Sequence, residues 1–174
     1  MKYLVASDVH GSLFYVNQFI KRIETEKPDK IILLGDLYYH GPRNPLPRDY
    51  NPKEVCTILN RYKDQLIVIK GNCDAEVDEM ISDFTFHDSF VLNQSIFFTH
   101  GHHINIDHPI KGYYMIIYGH FHIPFIKEKE NQIFINPGSI SLPKENSYHG
   151  YLVLEDNNIE LKALDGNIHI KKKI

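Results

Sequence analysis

Short apolar runs that end in a small residue and then a polar one recur along the chain. They cover residues 3–6, 31–34, 66–69, 96–98 and 115–118. Apolar, β-branched runs of this length are typical of strands buried on both faces. Apolar residues at helical spacing fill the first gap up to Pro28, and a second helical segment begins near Pro52. This alternation predicts βαβ units, in which consecutive strands run parallel.

The C-terminal third has a different pattern. Short apolar runs at 132–136, 151–156 and 159–164 are separated by turn residues, which include the segment 155–158 and Gly166. The pattern predicts added antiparallel strands, one arrangement of which is a second sheet packed on the first. No linker or repeat interrupts the chain, so we expect a single domain over residues 1–174. Residues 40–52 hold four prolines and predict a long ordered loop, a feature that is often functional.

Each of the five runs in the first pattern leads to a side chain that can bind a metal ion. These candidate ligands are Asp8, His10, Asp36, Asn72, His100, His120 and His122. The carboxyl ends of parallel strands collect functional groups at one edge of a sheet. Taken singly, Asp36 could cap a helix and Asn72 could occupy a tight turn. Because all five runs end in this way, we interpret the set as a metal site.

The composition of this set narrows the chemistry. Two carboxylates, one amide and four imidazoles are too many ligands for one tetrahedral ion, and the mixed oxygen and nitrogen donors suit Mn, Fe, Zn or Co. Seven ligands with one shared would serve two ions. A pair of ions about 3.5–4 Å apart clamps the oxygens of a phosphoryl transfer and provides hydroxide at neutral pH. Such a site would carry net positive charge and attract a phosphate ester.

Composition limits the partners and the location. The net charge of −3 argues against a stable nucleic-acid complex. Two cysteines are too few for a disulfide framework, and the first apolar run meets Asp8 at once, as in a strand rather than a signal peptide. No run approaches the roughly 18–20 apolar residues of a membrane span. We therefore expect a cytoplasmic protein with a small substrate and no membrane partner, and a homo-oligomer stays open.

A set of short motifs links these residues to a family. In chain order they are "SDVHG", "GDLYYHGPRNPLP", "GNCDAEVD", "FTHGH", "YGHFHIP" and "NPGSISLPK", which together span residues 7–144. The set resembles the calcineurin-like metallophosphoesterases, and within them the YfcE-type bacterial phosphodiesterases. The resemblance implies an α/β fold of four αββα layers, with two mixed β-sheets packed face to face and helices outside. It also implies a phosphodiesterase that uses two divalent ions and attack by a metal-activated hydroxide.

The resemblance further implies how the ligands divide between the two ions. One ion would be held by Asp8, His10, Asp36 and His122. The other would be held by Asp36, Asn72, His100 and His120, so that Asp36 bridges them. Mn is the expected metal, with Ni, Co, Zn and Fe as alternatives.

Three neighbours of the ligands are candidates for supporting roles. Asp74 is expected to orient a ligand histidine, and the alternative is a residue that stabilises the turn. His102 is a candidate phosphate contact, against the alternative of a solvated loop histidine. Arg43 is a candidate substrate-binding residue, together with Asn72, because arginine makes bidentate contacts to phosphate. Arg43 could instead tie down its own loop or a subunit contact.

Two other functions compete with that of a phosphodiesterase. A phosphomonoesterase is the first alternative, because the same metals suit both reactions. Monoesters carry an extra charge that needs more cationic groups, and the absence of the usual motif histidine at residue 73 favours diesters. A metal-free interaction scaffold of the same fold is the second alternative. A scaffold should show eroded ligands, whereas all seven are intact here.

Cys73 generates the first testable prediction. Many members of the wider superfamily have a histidine here that is a proposed proton donor to the leaving group, and a neutral thiol is a weak donor. Without a strong acid, good leaving groups should be favoured. We expect Cys73→Ala to keep most of the activity against activated diesters, measured as initial rates. A loss above about a hundredfold would contradict this, because general acid catalysis contributes about 10²–10⁴-fold.

Overall fold

The computed structural model describes residues 1–174 as two mixed β-sheets and three helices. The helices are α1 (Leu13–Glu26), α2 (Pro52–Asn60) and α3 (Glu76–Ile81). The strands are β1 (Lys2–Ala6), β2 (Lys30–Leu33), β3 (Leu66–Ile69), β4 (Phe86–His87), β5 (Phe90–Leu92), β6 (Ile96–Thr99), β7 (Met115–Tyr118), β8 (Phe125–Lys129), β9 (Gln132–Asn136), β10 (Gly150–Glu155), β11 (Asn158–Ala163) and β12 (Ile168–Lys173).

The larger sheet has the strand order β12-β11-β10-β1-β2-β3-β4, and the smaller sheet has the order β5-β6-β7-β9-β8. In the larger sheet β1 to β4 run parallel, while β10, β11 and β12 are added antiparallel. In the smaller sheet β6, β7 and β9 run parallel between antiparallel edge strands. The C-terminal runs therefore divide: β9 joins the smaller sheet, and β10 and β11 extend the larger one.

The two sheets face each other across an apolar core. Side chains such as Val5 and Ile32 from the larger sheet pack there with Phe98 and Ile117 from the smaller one. The opposite face of the larger sheet is covered by α1 and α2, whose apolar stripes form a second core. The predicted α/β class with two mixed sheets packed face to face is confirmed.

The outer face of the smaller sheet is covered differently from the helices expected there. Residues 100–114 form bends with no helix, and Ile104, Ile106, Ile110 and Tyr113 from this segment pack on Phe97 and Phe134. The segment holds glycine, proline and polar residues between its apolar ones, which disfavours a helix. No helix of the chain is both long and apolar enough to cross a bilayer.

The helix ends follow from local chemistry. The Ser12 side chain accepts a hydrogen bond from the Tyr15 amide at the start of α1, and Lys27 adopts a left-handed conformation (φ 50°) at its end. Asn51 caps α2 in the same way, with Pro52 at its first turn. These caps fix the residues at which α1 begins and ends and at which α2 begins.

Candidate metal centre

The predicted ligands follow strands of both sheets. Asp8, His10, Asp36 and Asn72 come after β1, β2 and β3 in the larger sheet, while His100, His120 and His122 come after β6 and β7 in the smaller one. The sequence pattern implied a single sheet edge, and the fold instead joins the edges of two facing sheets. The set thus combines residues that follow strands of both sheets.

The backbone at these strand ends is unusual. Five of the seven candidates have left-handed φ values: Asp8 (56°), His10 (49°), Asp36 (56°), His120 (66°) and His122 (62°). Such a conformation costs a residue other than glycine on the order of 1–3 kcal/mol and persists only where surrounding contacts impose it. The strain turns each loop sharply after its strand, which aims the side chains at one place.

The side chains form a buried cluster. His122 Nε2 lies 3.2 Å from Asp8 Oδ1 and 3.3 Å from His10 Nε2. Asp36 Oδ2 lies 3.8 Å from His10 Nε2 and 3.5 Å from His100 Nε2, between the two histidines. All five residues are at most 2% exposed. Asp36 is therefore close to one histidine of each predicted ion site.

Backbone carbonyls fix the orientation of three imidazoles. The Nδ1 atoms of His10, His100 and His122 lie 2.6–2.7 Å from the carbonyl oxygens of Tyr39, Leu34 and Leu142, respectively. A carbonyl only accepts, so each Nδ1 must donate its hydrogen, and in the neutral ring the lone pair is then on Nε2. All three Nε2 atoms point into the cluster, as ligand histidines do.

This arrangement fits bound cations. Asn72 Oδ1 lies 2.9 Å from His100 Nε2, and Asp8 Oδ1 is buried with no hydrogen-bond partner. With neutral imidazoles these are contacts between lone pairs, which a cation or a proton must relieve. Although burial lowers it, the hydrogen bond and charge of Asp36 and the charge of Asp8 raise the pKa of His100 to about 9. The cluster thus attracts positive charge.

Residues 136–142 fix the loops that carry these ligands. Asn136 Nδ2 donates to the carbonyl of Gly119 (2.7 Å), and the hydroxyls of Ser139 and Ser141 donate to the carbonyl of Asp8 (2.7 and 2.9 Å). The same segment provides the Leu142 carbonyl that orients His122. The motif was recognisable in the sequence, but its role depends on hydrogen bonds between distant parts of the chain.

The expectation that Asp74 orients a ligand histidine is wrong. Its carboxylate instead accepts hydrogen bonds from the backbone amides of Asp36 (2.8 Å), Leu37 (2.7 Å) and Gly71 (2.7 Å). Asp74 therefore joins the loop after β2 to the loop after β3 and fixes the backbone of Asp36. A carboxylate in a turn satisfies its acceptors most readily with nearby amides, which explains the difference.

Glycines allow the closest approaches between these loops. A Cβ at Gly71 would overlap the Asp36 carboxylate, and a Cβ at Gly119 would overlap the Ser7 side chain. Any side chain at either position would force two ligand loops apart.

A cleft of about 780 Å³ opens over the cluster. It exposes Asn72 and the half-buried His120 together with Arg43, and it also includes Lys144, Tyr39 and Phe121. Burial and the nearby His100 lower the pKa of His120 to about 4, which favours the neutral ring that a metal needs. The structure thus places Arg43 in the cleft. Lys144, Tyr39 and Phe121 stand inside the motifs, but the sequence assigned them no role, because a motif does not show which of its side chains line a cleft.

Cys73 and His102 lie at the margins of the cluster. The backbone amide of Cys73 donates to Asp36 Oδ1 (2.8 Å), and burial and Asp36 raise the pKa of its thiol to about 12. A neutral thiol is expected, although its sulfur is within 4.8 Å of donor atoms of His10 and Asp36. His102 is exposed, with its ring centroid 5.4 Å from that of His100, and it lines a neighbouring cavity of about 420 Å³.

The two facing sheets and the buried cluster of carboxylates and imidazoles define a class, the metal-dependent phosphoesterases. The chain belongs to the calcineurin-like phosphoesterase superfamily, whose sequence model matches residues 1–158. The family and enzyme class expected from the motifs are confirmed. How the ligands divide between ions stays a prediction.

Several proteins of known sequence or structure are similar to this chain. Phosphodiesterase YfcE of Escherichia coli K12 is 33% identical over 171 residues, which cover 95% of this chain and 93% of YfcE. The solved YfcE structure superposes with a TM-score of 0.94 at 32% identity, covering all of both chains. Probable metallophosphoesterase YsnB of Bacillus subtilis is 29% identical, over 91% of this chain and 86% of YsnB.

A more distant structure is similar in fold alone. Vps29 of Entamoeba histolytica, solved in complex with zinc, has a TM-score of 0.65 at 22% identity, covering 100% of this chain and 98% of Vps29.

Asp74 generates the prediction for this site. Asp74→Asn replaces one acceptor oxygen of the carboxylate with an NH₂ group. At least one of the three backbone N–H groups then loses its acceptor, so the loop of Asp36 should shift. We expect the affinity for Mn²⁺, measured by titration calorimetry, to fall by about 10–100-fold, as with other residues that orient ligands. The matched control is Asp83→Asn, which removes an exposed carboxylate outside the cluster. Equal affinities in both variants would contradict the assigned role.

Proposed function

We propose that this chain is a phosphodiesterase that uses two divalent metal ions, with Asp36 as their shared ligand. The observation that supports it most is the position of Asp36 Oδ2, which lies within 3.8 Å of His10 Nε2 on one side and of His100 Nε2 on the other. When bound, two such ions activate water at neutral pH and neutralise charge on the phosphoryl oxygens. The proposal follows the ligand division that the motifs imply.

The chain's own residues have separate tasks in this proposal. The carbonyls behind His10, His100 and His122 keep their Nε2 atoms directed inward, so little rearrangement is needed on binding. Asn72 and His120 are the ligands most open to the cleft, which places the substrate on that side. The pKa of the Cys73 thiol is raised to about 12 by burial and by Asp36, so this thiol is only a weak acid and the leaving group departs without a strong side-chain acid.

The preference for diesters rests on two observations. The relative YfcE, which shares 33% of its residues with this chain, is named a phosphodiesterase. In addition, two cavities adjoin the loop after β3: Gly71 lines the smaller one and Asn72 lines the main cleft. A diester has two organic arms, and two cavities can accept one each.

A phosphomonoesterase is the second candidate, and one observation favours it. Arg43 and Lys144 line the main cleft, where they could neutralise the second charge of a monoester. The scaffold alternative has less support, because the ligands are assembled and buried rather than eroded.

We propose Mn as the metal, with Ni, Co, Zn and Fe as alternatives, and a cytoplasmic location. We also propose a small phosphodiester as the substrate and no stable complex with nucleic acid or membrane. Whether the chain forms a homo-oligomer stays open. The net charge of −3 supports the exclusion of a large polyanion.

Metal removal tests the proposed function. After chelation, the protein should not hydrolyse the diester bis(p-nitrophenyl) phosphate. Adding Mn, Ni, Co or Zn should restore this activity, and the reloaded protein should hydrolyse the diester faster than the monoester p-nitrophenyl phosphate. We expect Asp36→Asn to lower the restored rate more than about a hundredfold, because it removes the shared ligand. Asp64→Asn, at an exposed site, is the matched control. Faster monoester hydrolysis would favour the second candidate, and inactivity with all four metals would favour the scaffold.

A further inference from the structure

The lining of the main cleft, its wall, includes two cations that have no partner in the chain. Arg43 and Lys144 line the cleft, and neither takes part in the ion pairs of the protein. Asp36 is the only carboxylate of the lining, and its charge faces the buried histidines. Because they lie beside a site for a phosphate, these two unpaired cations can bind a further negative charge on the same molecule.

The same wall carries two exposed aromatic rings. Tyr39 is 44% exposed and Phe121 is 39% exposed, although large aromatic side chains usually bury their area. The Phe121 ring packs edge-on against Tyr118 and His120, with centroids 5.9 and 5.3 Å apart. Exposed rings held in this way offer surfaces on which the planar ring of a ligand can stack.

Three of these four residues are tied to the metal ligands through the backbone. The carbonyl of Tyr39 accepts the His10 Nδ1 hydrogen bond, and the amide of Lys144 donates to the carbonyl of His122 (3.1 Å). Phe121 lies between His120 and His122 in the chain. Arg43 is held less directly, in a turn where Asn44 donates to the carbonyl of His40 (2.8 Å). The wall therefore has a fixed position relative to the cluster, as a specificity site requires.

The reacting phosphate does not need the positive charges of this wall. A simple diester carries one negative charge, which the two proposed metal ions can neutralise. Arg43 and Lys144 are additional, and a second anionic group on the substrate would give them a partner. A planar ring in the arm would likewise give the two aromatic rings a partner.

We propose that the cleft selects phosphodiesters whose arm carries both an aromatic ring and a second anionic group, the chemistry of a 5′-phosphorylated dinucleotide. Arg43 and Lys144 bind the second anion, and Tyr39 and Phe121 contact the ring. This inference rests on the proposed phosphodiesterase function. In the reaction, water adds to phosphorus, the bond from phosphorus to one ester oxygen breaks, and the proton that this water loses passes to the departing oxygen, which leaves as the alcohol.

The experiment compares two substrates that differ by one phosphate. Thymidylyl-thymidine with and without a 5′-phosphate is hydrolysed by the full chain loaded with Mn, and kcat/KM is measured for each. We expect the 5′-phosphorylated dinucleotide to be preferred by about tenfold or more, because a hydrogen bond to a charged group contributes that much discrimination. In the double variant Arg43→Ala with Lys144→Ala, this ratio should fall towards one.

Matched controls distinguish the effect of the cleft residues from that of similar residues elsewhere on the surface. Arg61→Ala with Lys63→Ala also removes two exposed cations, outside the cleft, and should keep the ratio. Tyr39→Ala with Phe121→Ala should raise KM for the 5′-phosphorylated dinucleotide by about fivefold or more, since stacking on an aromatic side chain provides at least that factor. Tyr114→Ala, which removes a ring that is 50% exposed outside the cleft, should leave this KM unchanged.

The outcomes distinguish this inference from the function on which it rests. Hydrolysis of bis(p-nitrophenyl) phosphate with a dinucleotide ratio near one would overturn the inference and keep the phosphodiesterase. A ratio that the cation control lowers equally would also overturn it, because general charge would then be the cause. Hydrolysis of no diester at all would overturn the proposed function itself.

Discussion

Three hydrogen bonds from imidazole Nδ1 atoms to backbone carbonyls are the constraint on which the site depends. They set the direction of His10, His100 and His122 and leave the Nε2 lone pairs facing Asp8 and Asp36. The acceptor carbonyls belong to other loops, so each histidine is oriented only when the whole sheet edge has formed. The metal chemistry is therefore a property of the assembled fold rather than of any one motif.

The rest of the structure supports this edge. The apolar core between the sheets brings the end of β1 towards the ends of β6 and β7. Asp74 joins two loops of the larger sheet, and Ser139 and Ser141 hold the carbonyl of Asp8. These bonds offset the backbone strain of the left-handed residues, because a loop fixed at several points cannot relax into a more favourable conformation. Substitutions outside the ligand set should thus still affect the ligands.

Much of this arrangement could be predicted from the sequence, for physical reasons that differ between elements. Buried strands such as β2 and β7 leave continuous apolar runs, and a polar residue after each run marks the strand end. In contrast, β12 is mostly exposed and α3 spans only Glu76–Ile81, so neither has a clear period. The motifs placed Asp74 near the site, but only the structure shows that it binds amides. Lys144 ends the last of the motifs, but only the fold shows that it lines the cleft and that its amide donates to the carbonyl of His122.

The central claim is that the joined strand ends form a site for two ions that share Asp36. Anomalous diffraction from crystals grown with Mn²⁺ tests it most directly. Two peaks are predicted, about 3.5–4 Å apart. One should lie among Asp8, His10, Asp36 and His122, and the other among Asp36, Asn72, His100 and His120. A single peak, or a second ion held by the Cys73 sulfur in place of Asn72, would contradict the account.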